Sequence, residues 1–526
     1  MTGFGTLLRL ALRRDRWLAP LWIVVFVANA AGSAAATIDL YPDVASRVKA
    51  SLVIDANPAL RALYGRIYDP GSLGGISMIK VVGLGTAFVA LLCALLVVRH
   101  TRANEEVGRT ELLAAGVVGR YAAAAAAMAE ATLVAVTLGL ATALSLVAVG
   151  LDVSGSLAFG LAWALAGTVF AGVALVAAQL CRTARAARGL AASVLVAAYV
   201  VRAVGDASTQ HWLSWLSPIG WSQQVRPYAG DRWWAALPSL VATALLVAAA
   251  ARLLDRRDLG AGVLPDRPGP AHAAPGLASP YALAWRQHRI GLVGWTVGFA
   301  GLGLLLGTVV GDVQDAVDSA AARDLIEKLG GVSGLQDAYV STELGFLAVF
   351  ASAFGISALS RLAAEESQGR AEVLLATGVD RTRLLLAHLA IALGGVTLLV
   401  LVVGLGLGIT HAGASGDAGN LGRDLAAAAA RLPAAWVMTG LAALCYGAFR
   451  SVAAAWALLT AFTLTGLFGE LFGLPTWAQD LSPYAHVPDL PGGAVHPAQL
   501  VLLAVLAGVL MIVAVAGFRH RDVVSG

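Results

Sequence analysis

The chain has 526 residues, of which 58% are hydrophobic and only 13% are charged, and its mean hydropathy is +0.77. Soluble domains carry roughly 25% charged residues, so the composition excludes an ordinary soluble protein and is typical of a polytopic membrane protein. The net charge of +4 gives no indication of a nucleic-acid-binding surface. Because Cys93, Cys181 and Cys445 lie within or at the ends of apolar runs, we expect no disulfides.

A transmembrane helix needs about 20 predominantly apolar residues, and the sequence contains twelve candidate runs. We interpret the first run as a retained span because it is longer than the apolar part of a signal peptide. The sequence therefore predicts an all-α polytopic membrane protein with about twelve transmembrane helices. The excess of Lys and Arg in the loops on one side predicts that both termini are cytoplasmic. The candidate runs lie near 17–36, 79–99, 122–150, 156–181, 188–205, 235–254, 290–311, 344–361, 384–409, 432–449, 452–472 and 499–518.

A charged segment between the second and third runs occurs again between the eighth and ninth. It reads EEVGRTELLAAGVVGR at 105–120, the first island, and returns at 366–381, the second island, within EESQGRAEVLLATGVDR. An ungapped comparison pairs Glu105 with Glu366, Gly108 with Gly369, Arg109 with Arg370, Glu111 with Glu372, Leu113 with Leu374 and Arg120 with Arg381. Further matches keep the same order: Arg13, Arg16 and Trp22 with Arg286, Arg289 and Trp295, Cys181 with Cys445, the LSP of 216–218 with that of 481–483, and Arg257-Asp258 with Arg521-Asp522.

These matches indicate that the chain is an internal duplication. We predict a first six-helix half at 1–262, a cytoplasmic linker rich in Pro and Gly at 263–279, and a second six-helix half at 280–526. Because each half has an even number of spans, the two halves are expected to be pseudo-symmetric about an axis along the membrane normal.

Each island is expected to form a short cytoplasmic helix. The spacing of Glu105 to Arg109, and of Glu366 to Arg370, predicts ion pairs within the islands. Apolar residues follow these charges on a segment too short to span a membrane. The pattern could serve only to enforce topology, but ordered charges beside exposed leucines favour a docking surface for a partner protein.

The six spans per half, the islands and the LSP segments resemble the type-2 ATP-binding-cassette (ABC) exporter permeases. The duplicated length and the GRxExLL islands look like the subgroup that exports polyketide antibiotics. The resemblance implies that the islands are coupling helices seated in two copies of a separate ATP-binding subunit. It also implies that the basic segments 4–16 and 281–289 are connecting helices on the inner membrane face. The islands differ where Glu106 aligns with Ser367, so the two docking sites need not be equivalent.

The ATPase-coupling residues that follow from the resemblance are Glu105, Arg109, Glu111, Leu112, Leu113, Arg120, Glu366, Arg370, Glu372, Leu374, Leu375 and Arg381. ATP and Mg²⁺ would bind to the partner ATPase and not to this chain. The resemblance further implies export of hydrophobic or amphiphilic compounds, such as antibiotics and other drugs, across a prokaryotic plasma membrane.

Motifs for catalysis are not found in the sequence. A Walker A loop ends in Gly-Lys, and none of Lys49, Lys80 and Lys328 follows a glycine. The histidines form no H-x-x-x-H pair and the cysteines no C-x-x-C pair, so the spacing predicts no metal site. The chain is therefore not expected to be an enzyme by itself, and any ATPase would be a separate polypeptide.

Polar and aromatic residues inside the spans are the remaining candidates. Glu130 lies near the middle of the third run, where an acid suggests a proton-relay role; a structural hydrogen bond or a misplaced span boundary is the alternative. His388 is interpreted as an interfacial residue and not a ligand. Asp206 and Glu470 each precede an LSP segment and could help to shape the outer gate, with a capping or solvated role as the alternative. Phe346, Phe350 and Phe354 recur every four residues and so share one helix face. The candidates for a substrate path, with simple packing as the alternative, are Phe88, Phe346, Phe350, Phe354, Phe462 and Phe468.

Two other functions remain open. A proton-coupled secondary multidrug transporter would use Glu130, but it would have no need for two ordered cytoplasmic islands. A non-transporting membrane partner of an ABC ATPase would use the same islands for signalling or resistance.

Overall fold

The computed structural model describes residues 2–114, 116–208, 210–264, 271–312, 331–468 and 474–521. Over these residues the chain is helical and contains no β-strand. The chain divides into two compact units, Met1–Gly269 and Pro270–Gly526. The division falls inside the predicted linker 263–279. Each unit encloses hydrophobic clusters of its own.

Helices of very different lengths make up the first unit, and the long ones coincide with the predicted spans. They are α1 (Phe4–Arg14), α2 (Leu18–Leu40), α3 (Val44–Ala56), α4 (Pro58–Tyr64), α5 (Leu73–His100), α6 (Arg102–Glu106), α7 (Arg109–Ala114), α8 (Ala122–Ala148), α9 (Val153–Leu180), α10 (Ala184–Ala207), α11 (Pro218–Gln224) and α12 (Leu237–Asp255).

Helix α9 packs against α5, α8, α10 and α12 and is the central helix of the first unit. Its aromatic residues Phe159, Trp163 and Phe170 are fully buried. At the crossing with α8, a Cβ atom on Gly139 would lie 2.3 Å from the backbone oxygen of Gly160. Small residues therefore let these two backbones approach closely, which is how membrane helices commonly associate.

The second unit repeats this pattern of long and short helices. They are α13 (Pro280–Asp312), α14 (Gly331–Ser367), α15 (Arg370–Ala376), α16 (Arg381–Ser415), α17 (Gly419–Ala429), α18 (Leu432–Phe449), α19 (Ala453–Phe468), α20 (Thr476–Gln479) and α21 (Pro497–His520). A close backbone contact joins α13 to α16, because a Cβ on Gly303 would lie 2.5 Å from the backbone oxygen of Val403.

Eleven helices among the described residues are long and apolar enough to cross a membrane. The chain is therefore a polytopic membrane protein, as the composition indicated. The predicted run at 452–472 corresponds to α19, which has 16 residues up to Phe468. The rest of that run, including Glu470, lies outside the described residues. Helices α13 and α14 begin well before the predicted 290 and 344, because hydropathy locates the apolar part of a helix and not its ends.

The two predicted connecting helices differ. The segment 4–16 contains the separate helix α1, which ends at Arg14 with Asp15 as its C-cap. The segment 281–289 belongs to α13 and runs into the following span without a break, so the prediction of a separate helix there was wrong. The position that aligns with Asp15 is His288, which stays inside the helix, whereas the Asp15 carboxylate turns towards Arg99 and His100 at the end of α5.

Both islands contain a short helix that follows a glycine with positive φ. Gly108 has φ 72° before α7, and Gly369 has φ 70° before α15. A Cβ would meet no atom at either position, so it is the left-handed backbone that favours glycine. Each glycine ends one helix and redirects the chain into the next.

Candidate functional site

The first island is anchored to the segment that follows α12. Glu105, at the end of α6, accepts hydrogen bonds from both terminal nitrogens of Arg257, at 2.5 and 3.0 Å. The backbone N–H of Gly260 donates a third hydrogen bond to Glu105, at 2.8 Å. Both side chains of the pair are buried. A buried charge of this kind persists only when it is paired and hydrogen-bonded.

The same ion pair also contacts the end of α9. The Nε atom of Arg257 donates to the Gln179 side chain at 2.8 Å. Arg102, which is fully buried, lies 3.2 Å from Glu105 and donates to the carbonyl oxygen of Ala178. The ends of α5, α9 and α12 that lie beside α6 are thereby joined at Glu105.

The second island has an equivalent anchor. Glu366 is buried at the end of α14. It accepts a hydrogen bond of 2.6 Å from Arg521, which lies just beyond the end of α21. The Tyr446 hydroxyl, at the end of α18, donates to the same carboxylate oxygen at 2.6 Å. The Arg521 guanidinium also lies 4.8 Å from the ring centres of Tyr446 and Phe518.

The far end of each island is tied to the same arginine. Arg120 donates a hydrogen bond to the carbonyl oxygen of Arg257 at 2.9 Å, and Arg381 donates to that of Arg521 at 2.8 Å. We call Glu105, Arg120 and Arg257 the first clamp and Glu366, Arg381 and Arg521 the second clamp. Each clamp binds both ends of an island to the end of the last span of its unit.

A phenol adds to the first clamp. The hydroxyl of Tyr121, next to Arg120, donates a hydrogen bond of 2.5 Å to the carboxylate of Asp255 at the end of α12. This hydrogen bond raises the pKa of the Tyr121 hydroxyl, since the neutral phenol is the donor.

The charge pairs predicted within the islands are replaced by other pairs. Glu105 pairs with Arg257, and the Arg109 side chain donates a hydrogen bond to Asn104 at 3.5 Å. Arg370 forms a bidentate pair with Glu365, at 2.6 and 3.0 Å, on the protein surface. Glu105 and Glu366 point into their units, where the more deeply buried Arg257 and Arg521 pair with them.

The apolar residues of the two islands are only partly alike. Leu112 is 81% exposed, and the residue aligned with it, Val373, is 68% exposed. Leu374 and Leu375 are instead half-buried and pack against the core of the second unit, so the expectation that both are exposed was wrong. The Leu113 side chain lies outside the described part of the structure. Val373 was not among the predicted coupling residues, although its alignment with Leu112 was visible in the sequence.

Two further pairs of aligned positions in and beside the islands also differ between the units. Glu111 is exposed, whereas its counterpart Glu372 is half-buried. Glu106 accepts a hydrogen bond from the backbone N–H of Ala184 at 2.9 Å, at the start of α10. Ser367, at the aligned position, is exposed and bonds its own helix at Ala364.

Several buried polar residues inside the units lie close to one another. Glu130 lies 3.2 Å from His100, which in turn lies 2.6 Å from Asp15. His388 is buried beside His288, with 3.2 Å between their ring nitrogens.

Asp206 is likewise buried and not solvated. It accepts a hydrogen bond from Ser214 at 2.8 Å and lies 3.3 Å from Arg202. Ser214 lies just before the first LSP segment, so Asp206 fixes the approach to that segment. The Ser217 hydroxyl of the same LSP accepts backbone N–H groups at the start of α11.

The predicted aromatic path residues do not share one environment. Phe88 and Phe350 are about half exposed, Phe346 is half-buried, and Phe354 is buried against Trp295. Phe462 packs against the core of the second unit. The Phe468 side chain is outside the described part of the structure.

Arg257 and Arg521 repeat between the two halves of the sequence, but no role was predicted for them. Their partners Glu105 and Glu366 were assigned to the neighbouring Arg109 and Arg370, because spacing along the chain favours local pairs. The signal was present, since both the acid and the distant arginine repeat between the halves. Reading the repeats as pairs would have predicted the clamps.

Comparisons with known proteins identify relatives of this chain. Residues 277–519 match the family model described as "Multidrug efflux system permease Rv1217c, C-terminal domain". The chain is 41% identical over 526 residues to the multidrug efflux system permease protein Rv1217c of Mycobacterium tuberculosis (strain ATCC 25618 / H37Rv), and the alignment covers 99% of this chain and 95% of that relative. This similarity is consistent with the resemblance to ABC exporter permeases. The chain therefore belongs to the family of multidrug efflux system permeases that includes Rv1217c.

Proposed function

We propose that the chain is the membrane-spanning permease subunit of an ATP-driven ABC exporter for hydrophobic or amphiphilic compounds. The islands would dock to two copies of a separate ATP-binding subunit, which would bind the ATP and Mg²⁺. The name of the relative Rv1217c, a multidrug efflux system permease, supports the substrate class. Both termini and both islands would lie on the cytoplasmic side of a prokaryotic plasma membrane.

The observation that carries this proposal is the repeated clamp. In each unit the island is joined to the last span through a buried carboxylate and an arginine. A surface loop that only enforces topology has no need of such an anchor. A segment that transmits force has this need, because a displacement of the island must move the membrane helices and not merely deform the loop.

Each clamp would transmit movement to more than one span. Glu105 is linked to the ends of α9 and α12, and Glu366 to the ends of α18 and α21. Since interfaces of this kind are stiff, a shift of one island by a partner would move these helix ends together. The partner's ATP cycle could thereby change access to the membrane interior.

The exposed part of each island offers a surface for the partner. Leu112 and Val373 present apolar side chains, while Arg109 and Arg370 place exposed positive charge at the start of the same helices. An apolar anchor with charges around it is typical of a specific protein contact.

The substrate path remains part of the proposal. Phe88 and Phe350 have exposed rings that could contact an apolar compound, with Phe346 half-buried on the same helix face as Phe350. Phe354 and Phe462 would support this path from the core.

Reconstitution tests the proposal against a proton-coupled transporter. The chain and its candidate ATP-binding subunits are placed in liposomes with an apolar fluorescent drug, and transport is followed after addition of ATP and Mg²⁺. We expect transport that needs ATP hydrolysis and survives an ionophore that collapses the proton gradient. Transport by the chain alone, driven by a proton gradient, would support the proton-coupled alternative. ATPase binding without transport or substrate stimulation of hydrolysis would support a non-transporting partner.

A further inference from the structure

A buried group of three potential metal ligands lies in the first unit, at the corner where α1, α5 and α8 meet. Asp15, His100 and Glu130 come from three separate elements, and their ligand atoms all lie within 4.8 Å of one another. Asp15 and Glu130 are each only 1% exposed. None of the spacings in the sequence brings these residues together, which is why the sequence predicted no metal site.

The hydrogen bonds within this group are incomplete. His100 Nε2 lies 2.6 Å from Asp15 and 3.2 Å from Glu130, but a single N–H can serve only one carboxylate well. Asp15 has a second partner in Arg99, at 2.9 Å. Neither oxygen of Glu130 accepts a hydrogen bond from any residue that the structure describes. A buried carboxylate without a donor is costly, and a bound cation would remove that cost.

From this arrangement we propose that Asp15, His100 and Glu130 bind one divalent transition-metal ion, with Zn²⁺ and Mn²⁺ as the best candidates. One imidazole and two carboxylates form a mixed nitrogen and oxygen ligand set that suits these ions. Two ligands of one ion lie at most about 4.4 Å apart, twice a bond of roughly 2.2 Å. Small side-chain rotations would therefore close the group around an ion.

An ion has a route to this group. A cavity of about 280 Å³ lies beside α1, and His100 is among the residues that line it. Arg14, Asn104 and Arg109 line the same cavity, so its wall also carries positive charge. Within the ligand group itself two carboxylates face one arginine, Arg99, and these carboxylates supply the local attraction for a cation against the positive charge of the cavity wall.

The second unit lacks this ligand set. The positions that align with Asp15 and Glu130 are His288 and Ile391. The site would therefore fasten the separate helix α1 to α5 and α8 in the first unit alone. This inference is independent of the proposed transport function.

The second unit also provides a matched control. His411 and Asp424 form a buried pair at 2.7 Å, and no third metal-ligating residue is grouped with them among the described residues. Substitution of Asp424 removes a buried carboxylate beside a histidine without touching the proposed site.

Metal binding to the purified, tag-free full chain tests the proposal. The chain is stripped with a chelator, and its affinity for Zn²⁺, Mn²⁺ and Mg²⁺ is measured by calorimetry, with bound metal counted by mass spectrometry. We expect about one Zn²⁺ or Mn²⁺ per chain and much weaker Mg²⁺ binding. Glu130→Gln and Asp15→Asn should each lower the affinity by more than about 100-fold, because even loss of an outer partner costs roughly 10–100-fold. Asp424→Asn should bind as the wild type does.

Size-exclusion profiles of the variants establish that they are folded, and two substitutions on different helices guard against the failure of one. Co²⁺ provides a second readout through its visible absorption, which should disappear with either substitution. The proposal is overturned if the wild type binds no more metal than Glu130→Gln, if Asp424→Asn loses binding to the same extent, or if Mg²⁺ binds as tightly as Zn²⁺.

Discussion

The carboxylate of Glu105 forms a bidentate ion pair with the guanidinium of Arg257, 152 residues further along the chain. Glu366 pairs in the second unit with Arg521, 155 residues further along, through a single hydrogen bond of 2.6 Å. The two pairs connect the charged islands to the ends of the last spans. They are the structural basis of most of the following predictions.

Breaking a clamp should destabilise its unit. Removing one partner of a buried ion pair costs about 3–5 kcal/mol, so Arg257→Ala and Arg521→Ala should lower the Tm of the purified chain. In a cycle with Glu105→Ala and Arg257→Ala, the double variant should lose less than the sum of the single losses, because the second substitution removes a charge that is already unpaired. The coupling is expected at about 0.5–3 kcal/mol, and strictly additive losses would show that the pair is not coupled.

Reversing the exposed arginines should affect docking but not folding. Arg109 and Arg370 lie on the surface, and the Arg370 pair with Glu365 is worth only about 0.2–1 kcal/mol at such a site. We expect the Arg109→Glu/Arg370→Glu chain to reach normal abundance, to lose the ATP-binding subunit on purification and to lose export. The two single reversals should be unequal, since the islands differ in their local contacts. Arg188→Glu, which changes charge at the exposed start of α10, should retain the subunit. Full retention and export in the double variant would instead favour a topology signal.

Polar substitution of the exposed apolar residues should weaken docking. Leu112→Asp and Val373→Asp would place a charge where we propose an apolar anchor. The recovery of ATP-binding subunit at matched expression should fall by about 10-fold or more, which corresponds to roughly 1.4 kcal/mol. Val44→Asp, at an exposed position outside both islands, is the control and should have no effect. Equal recovery in all three variants would exclude Leu112 and Val373 from the contact.

The stoichiometry of the complex follows from the duplication. Because one chain carries two islands, we expect one copy of it with two ATP-binding subunits. Native mass measurement of the detergent-solubilised complex provides the test. A complex with two copies of this chain would contradict the proposal.

The orientation of the islands can be tested with single cysteines. Residues 105–120 and 366–381 should be protected from a membrane-impermeant thiol reagent in intact cells, whereas 37–78 and 312–343 should react. The native cysteines give little background, because Cys93 and Cys445 are buried and burial raises the pKa of the Cys181 thiol. The native cysteines can be replaced by serine so that only the introduced cysteine is labelled. Labelling of an island from outside would reverse the topology.

Local sequence features anticipated many of the elements. The apolar runs located the long helices, and the repeated glycines coincide with the turns before α7 and α15. The runs did not locate the starts of α13 and α14, because a helix can continue beyond the part that is apolar. They also did not distinguish the separate helix α1 from the continuous α13.

The sequence by itself determined that the chain is a polytopic membrane protein and that its charged islands are duplicated. It could do so because the partition of a segment from water into a membrane depends on the composition of that segment, and because a repeated motif can be recognised in the sequence alone. Only the tertiary structure decided that Glu105 pairs with Arg257 and not with Arg109, and that Asp15, His100 and Glu130 meet. The partner of a buried charge is set by which helix ends the folded chain brings together, and that information is not contained in local spacing.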